Sequence, residues 1–352
     1  MSLIRITLYL LYLLFFSFFI VEIIFRFLPV SDSLKYQTVN NESPIMHFLP
    51  NRTITAQIGF DFSHVVQKKI NNYGYFSDFD YKPTKKNEKS IAIIGDSYVE
   101  ALQLPNNKSI GGLLTQIYDP KYVYSIGWSG SPLTQYLAFA EWAEDELNPE
   151  KFVFLIISND FYESSSTYIK HVGMHHYDED MDLKRVDYEV SSLKRFLQNS
   201  AFLRYLIIDL KLEYQLRNFL QRFDKTNNTQ NSKADIKDES ENKKLLKNII
   251  ENFIFDLTDI SKDKEVIFVL DGDRHSIYSG GKYKQNDNIN YAYSYFKEYC
   301  CDKKNFSYID LHVVFKKNYE KYGKKFNFDS DYHWNELGHS IAFQEIKKLI
   351  TR

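Results

Sequence analysis

Five short apolar runs govern what this chain can fold into: SIAIIG at 90–95, YVYSIG at 122–127, FVFLII at 152–157, EVIFVLD at 265–271 and FSYIDL at 306–311. None alternates polar and apolar residues. A strand that reads as a nearly continuous hydrophobic run is covered on both faces, which is the condition of strands in a parallel sheet. Helix-patterned stretches fill the gaps, such as IGGLLTQIY after the first run and SPLTQYLAFAEWAEDEL after the second. The alternation predicts an α/β fold, a flavodoxin-like three-layer sandwich on a central parallel sheet of about five strands. In such sheets the working residues gather at the carboxyl ends of the strands. Aromatic residues make up 16% of the chain, with 28 Phe and 27 Tyr, so material for a core is ample and wholesale disorder is excluded.

The amino terminus carries a different signal. From Ile6 to Val21 there is no charge, and Ile23, Ile24 and Phe25 extend the apolar run past Glu22 to about the length of a bilayer span. Arg5 precedes it, Arg26 and Pro29 close it, and no small-residue cleavage site follows. Residues 1–29 therefore read as a signal anchor, a transmembrane helix in which Glu22 and Arg26, four apart, share one face. The bulk of the chain is expected outside the cytoplasm, periplasmic or on the cell surface. Residues 30–88 read as a stalk and irregular segment with a turn at Asn71–Gly74, and 89–352 as the main domain. An insertion at about 165–250 interrupts that domain. Within it, 191–222 is amphipathic and reads as one or two helices, and the polar stretch 224–245 reads as a surface loop.

The net charge of −2 offers no pull toward nucleic acid, which is not an expected partner. The two cysteines are the neighbours Cys300 and Cys301, from which no redox chemistry is read.

The chemistry-bearing residues sit in four places. Gly95-Asp96-Ser97-Tyr98 follows the first strand and puts a hydroxyl on a tight turn, where Ser97 is either an exposed nucleophile or a helix cap. Asp331-Tyr332-His333-Trp334 lies near the other terminus and offers a base with an acid beside it, or a packed histidine. Gly130, after the second strand, and Asn159, in Ser158-Asn159-Asp160 after the third, either donate to an oxyanion or serve ordinary turn geometry. Asp329 is a weaker candidate for the acid, and Asp160 a possible assistant to the site.

These four blocks, in this order, resemble the SGNH (GDSL-type) hydrolase family over roughly residues 88–352. The resemblance implies Ser97 as nucleophile, His333 as base, Asp331 as its acid, and Gly130 and Asn159 as oxyanion donors, with no metal or organic cofactor. Two positions depart from the family pattern. The usual Asp three before the histidine is Ser330 here, and the glycine two before the asparagine is Ile157. The compact Asp-x-His-Trp block resembles membrane-linked members that add or remove acetyl groups on extracellular polysaccharide. The expected function is an extracytoplasmic serine esterase or O-acyltransferase acting on an ester or carbohydrate substrate. The alternatives are a non-catalytic glycan-binding protein on the same fold and a lipase-like esterase.

Three further motifs have expectations of their own. His175-His176-Tyr177-Asp178-Glu179-Asp180 reads as a solvated loop rather than a metal site. Asp271-Gly272-Asp273-Arg274-His275 reads as a rim loop that either contacts substrate or makes an ordinary turn, and His339 as a structural residue of the last helix. Gly127-Trp128-Ser129-Gly130-Ser131 lacks the final glycine of a nucleophile elbow.

Overall fold

The computed structural model describes residues 3–85, 88–212, 216, 239–283, 286–329 and 331–351. They fall into two compact units.

The first unit takes in Met1–Lys35, Thr53–Gln67 and Val190–Asn231. Its helix α1 (Leu3–Arg26) has no buried residue. Without Gly or Pro to interrupt it, the run forms a rod of about 36 Å, enough for a hydrocarbon core of about 30 Å. Among the described residues it is the one helix long and apolar enough to cross a membrane. The strands β1 (Arg52–Ile58) and β2 (His64–Ile70) pair as a hairpin. Of the helices expected at 191–222, the described residues show α6 (Ser192–Leu197) and α7 (Ala201–Arg204), which runs on into a π turn at Tyr205–Asp209; 213–215 and 217–222 lie outside the described residues.

The second unit holds the sheet, built from β3 (Ile91–Gly95), β4 (Val123–Gly127), β5 (Lys151–Ile156), β8 (Glu265–Leu270) and β9 (Phe306–Asp310). All pairs are parallel and the spatial order is β4-β3-β5-β8-β9. With the strands counted in chain order this is 2-1-3-4-5, the flavodoxin-like winding. Each apolar run becomes a strand within a residue of its expected ends; four of them are buried along nearly their whole length, and the edge strand β9 leaves Tyr308 exposed.

The pleat sorts the side chains into two kinds of core. Ile91, Ile93, Val153, Leu155, Ile267 and Val269 point one way into an aliphatic layer. Helices α3 (Ile110–Leu114), α11 (Leu311–Tyr322) and α12 (Glu336–Ile350) supply the other side of that layer. The alternate positions form an aromatic layer, where Phe154 and Phe268 meet Phe253 and Phe296 at 4.9–6.3 Å. Phe253 lies on α8 (Glu239–Ser261) and Phe296 on α10 (Asp287–Cys301), and α4 (Leu133–Glu146) neighbours α8.

Several expectations shift. The polar loop at 224–245 lies outside the described residues as far as 238, but from Glu239 the chain is helical. The buried stripe Leu246, Ile249, Ile250, Phe253, Ile254 and Leu257 carries the polar first turns of α8 with it, and Lys243 pairs with Glu239 at 2.6 Å. His175–Tyr177 is not a solvated loop but strand β6, paired with β7 (Leu183–Arg185). His176 is buried there, its Nδ1 2.9 Å from the Glu163 carbonyl oxygen and its Nε2 accepting from the His171 N–H. The segment 30–88 contains the β1–β2 hairpin, and Phe48, Tyr75 and Tyr81 within it are buried. Its residues 36–52 and those from 68 onward group with the sheet.

Candidate active site

Because β3 lies between β4 and β5, the turns leaving all three strands open at one edge. Ser97 follows β3, Gly130 follows β4 and Asn159 follows β5. Directly after β3 comes α2 (Ser97–Glu100), and its cap is Asp96, whose Oδ1 accepts from the Tyr98 N–H at 3.0 Å. Capping thus falls to the aspartate and leaves the Ser97 hydroxyl for other work. Ser97 Oγ stands 2.8 Å from His333 Nε2 and 3.3 Å from Asp96 Oδ2. Asp331 Oδ1 lies 2.5 Å from His333 Nδ1 and also accepts from the His333 backbone N–H at 3.1 Å. With Nδ1 donating to the carboxylate, Nε2 is left as the acceptor for the serine proton.

Burial alone would raise the Asp331 carboxyl. The hydrogen bond and charge of His333, the backbone N–H and the Gln103 amide at 3.0 Å outweigh it and hold the group down to about 2. Asp331 is therefore an anion at neutral pH. Asp329 is exposed, and Asp331 alone of the two bonds the histidine.

The loop leaving β4 is held to the turn at Ser97 at two points. Trp128 N–H donates to the Gly95 carbonyl at 3.2 Å, and Glu100 Oε2 accepts from Ser129 N–H and Oγ–H. A side chain at Gly127 would sit 2.2 Å from Glu100 N, so the loop approaches α2 as closely as it does only with glycine there. Gly130 has φ +77°, a left-handed conformation that disfavours side chains, and a Cβ there would face open space. Glu100 is buried, which raises its carboxyl against the two Ser129 bonds. Behind it Lys68 Nζ, wholly buried and pulled down to about 7 by that burial, donates to Ala101 O at 2.7 Å and Leu104 O at 2.8 Å.

After β5, Asp160 closes the turn carrying Asn159. Its Oδ2 accepts from Ile157 N–H at 2.8 Å and from Tyr136 Oη–H at 2.9 Å. The carboxylate takes up the backbone N–H of the position where the family pattern has glycine. The Asn159 side chain bonds Glu163, opposing the rise that burial imposes on that carboxyl. Asp96 and Asp160 are both buried, and the charge of Asp96 adds to the effect of burial on Asp160. Burial pushes Asp96 up to about 7 and Asp160 well above the carboxylate range.

The rim loop 271–275 serves the histidine loop from behind. Asp271 and Arg274 are buried and paired at 3.2 Å. Asp271 accepts from Trp334 Nε1–H at 3.0 Å, and Arg274 Nη2–H donates to Tyr98 Oη at 2.5 Å. Tyr98 in turn donates to the Tyr332 carbonyl, and its ring lies 5.1 Å from that of His333. Asp271 and Arg274 thus turn these polar atoms inward, onto each other and onto the histidine loop. His339, as expected, is interior: it lies in α12 against Trp334, and burial pulls its ring down to about 3. A cavity of about 470 Å³ opens at the ends of β8 and β9, lined by Asp271, Asp273, Lys297, Asp310 and His312 among others. Neither Ser97 nor His333 lines it.

Gln103, Glu100 and Lys68 were not identified from sequence, and Tyr98 and Arg274 were named only as members of their blocks, without these contacts. Glu100 alone carried a signal, an acid three residues after the serine on a short buried helix.

Searches with protein-family models and against curated proteins find no match. Solved structures do show likeness. A member of the lipolytic G-D-S-L family from Veillonella parvula DSM 2008 is 12% identical, with TM-score 0.41, over 75% of this chain and 99% of that one. A carbohydrate esterase family 2 enzyme with a carbohydrate-binding domain, from Corynascus thermopiles (Myceliophthora fergusii), is 14% identical, with TM-score 0.35, over 81% and 71%. An acetyl xylan esterase from the rumen bacterium Butyrivibrio proteoclasticus is 10% identical, with TM-score 0.36, over 91% and 85%. Scores this low do not establish kinship, and the reading of the site rests on its own geometry.

Proposed function

We propose that this chain is a membrane-anchored serine esterase or O-acyltransferase of SGNH type, acting on acetyl esters of a cell-envelope carbohydrate outside the cytoplasm. The observation that carries the chemistry is the Ser97–His333–Asp331 chain of contacts. Ser97 Oγ attacks the ester carbonyl carbon while His333 Nε2 takes its proton, and Asp331 balances the imidazolium that forms. The carbonyl π electrons move onto oxygen, where the Gly130 N–H and the Asn159 amide are the proposed donors. Each such donor contributes on the order of 10²–10³ in rate. The tetrahedral centre collapses, the carbon–oxygen bond to the leaving alcohol breaks, and His333 returns the proton to that alcohol. Water or a sugar hydroxyl then attacks the acyl-Ser97 with the same base, giving hydrolysis or transfer. The position of Ser97 between the strands that carry Gly130 and Asn159 supports this assignment. The carbohydrate and acetyl part rests on the Asp-x-His-Trp resemblance, and the anchor on α1.

The test is cleavage of p-nitrophenyl acetate by the detergent-solubilised full chain, with fluorophosphonate labelling of the serine. Wild type is expected to label and to turn over the short ester. Ser97→Ala is expected to do neither. Equal labelling of both proteins rejects Ser97 as nucleophile. A preference for long-chain esters moves the assignment to a lipase. The acetyl content of surface glycans, compared by mass spectrometry between cells carrying wild type and Ser97→Ala, identifies the acceptor class and the direction of the reaction.

A further inference from the structure

Helix α1 carries an acid where a bilayer span tolerates one poorly. Glu22 lies four residues, or about 6 Å of helix rise, inside Arg26. Its carboxylate is fully occupied. It accepts from Ser200 Oγ at 2.7 Å, from Ala201 N–H at 3.0 Å and from Phe202 N–H at 3.0 Å, and it pairs with Arg26 Nε at 2.8 Å. These partners are the first backbone donors of α7, so an acid of the apolar helix caps a helix from 178 residues downstream. Aromatic packing follows the same seam. Phe202 meets Phe18 at 5.9 Å and Phe25 at 5.2 Å, and Tyr205 meets Phe25 at 4.8 Å. The far side is tied down as well: Asp209 Oδ2 accepts from Ser31 N–H and Arg204 Nε–H donates to Ser31 O.

Residues 200–209 are thus fastened to the carboxy-terminal part of α1, yet several large apolar side chains between 192 and 209 turn outward. Phe196 is 73% exposed, Leu193 67%, Ile207 54% and Ile208 39%, and Phe27, the residue after α1, is 86% exposed. Lys194 and Arg195 lie in the same short helix. Outward apolar side chains flanked by basic ones, continuous with an apolar helix of spanning length, match an element lying in a lipid headgroup layer.

We infer that α6, α7 and the π turn form an interfacial membrane element, with Leu193, Phe196, Ile207 and Ile208 inserted among the lipids where α1 leaves the bilayer. The inference rests on the anchor reading of α1. The occupant of this face is phospholipid, and Lys194 and Arg195 favour anionic headgroups.

The experiment is site-directed spin labelling of the full chain in phosphatidylcholine–phosphatidylglycerol vesicles. Single cysteines replace Leu14, Phe196, Ile207 or Lys262 on a Cys301→Ser background. Cys300 is buried and its thiol is pushed up to about 12, so it resists labelling, and the background protein without an added cysteine checks this. Collisions with oxygen are expected to outweigh those with a water-soluble nickel chelate at positions 14, 196 and 207, and the reverse at 262. The depth at 196 and 207 is expected to be about 5–10 Å below the headgroup boundary. Lipid exposure at 14 with water exposure at 196 and 207 overturns the inference and leaves the anchor intact. Water exposure at 14 removes the anchor reading itself. Positions 196 and 207 shielded from both reagents assign the face to a protein partner or a second copy, and the inference falls.

Discussion

Two regions near Ser97 each present carboxyl groups, and they behave in opposite ways. In the histidine loop, Asp331 is half-buried but surrounded by donors, and it is held as an anion down to about 2. In the turns leaving β3 and β5, Asp96 and Asp160 are buried beside one another, and both are raised. Distance from the serine does not sort them, since Asp96 is its chain neighbour. What sorts them is the number of N–H and imidazole donors weighed against burial and like charge. One region keeps a charge ready for an imidazolium. The other holds a proton and spends its carboxyls on shape.

The strongest way to break this contrast is Asp331→Asn. An amide in that place no longer fixes the imidazole tautomer, and kcat on an acetyl ester is expected to fall on the order of 10⁴ with the circular dichroism spectrum unchanged. A loss of less than tenfold would return the acid role to another residue. Next comes Asp160, where the contrast predicts a split between two variants. Asp160→Asn keeps an acceptor for Ile157 N–H and Tyr136 Oη–H and is expected to retain most stability and activity. Asp160→Ala strands both donors, at about 1–3 kcal/mol each, read as a lower urea midpoint. Equal losses in the two variants would mean that the charge, not the hydrogen bonding, matters at this position.

The pH dependence of stability sharpens the comparison further. Asp331 is lowered on folding, so its contribution is present above about pH 4 and is lost as pH falls toward 2. Asp96 is raised to about 7. From about pH 4 to 7 the folded state holds a proton that the unfolded chain has lost, so this group makes stability fall as pH rises, with the full penalty above 7. Urea midpoints measured from pH 3 to 8 are expected to show that decline in wild type and a flatter profile in Asp96→Asn. The same slope in both proteins would remove Asp96 from the account. The smallest effect is expected from Asp329→Asn: the exposed acid sits away from the imidazole, and stability is expected within about 0.5 kcal/mol of wild type with turnover unchanged.

The sheet was readable because four of its five strands are buried on both faces and so read as nearly continuous apolar runs; the edge strand β9, with Ser307 and an exposed Tyr308, is the least regular of them. The apolar span of α1 was readable from its unbroken apolar length alone, since none of its residues is buried. Elements that cover only one side were harder. The first turns of α8 are polar because they face solvent, and β6 hides in a His-rich stretch whose partner strand is equally polar. Ser97, His333 and Asp331 were legible as short blocks that the structure brings into contact. Gln103, Glu100 and Lys68 were not, since each acts through a neighbour that only the folded chain provides. Lys68 and Glu100 are 32 positions apart in the chain, and a local pattern cannot pair them. The loop 271–275 was placed on the correct rim, but its buried ion pair gave no sign of itself in sequence.

That Asp96, rather than Ser97, caps α2 has a practical consequence. The hydroxyl contributes nothing to starting the helix, so position 97 can be changed without unravelling the turn that presents it. An alanine there leaves a silent receptor in which an intact ester can rest undisturbed. Under the proposed function, such a variant is suited to fishing the natural ligand out of a cell extract.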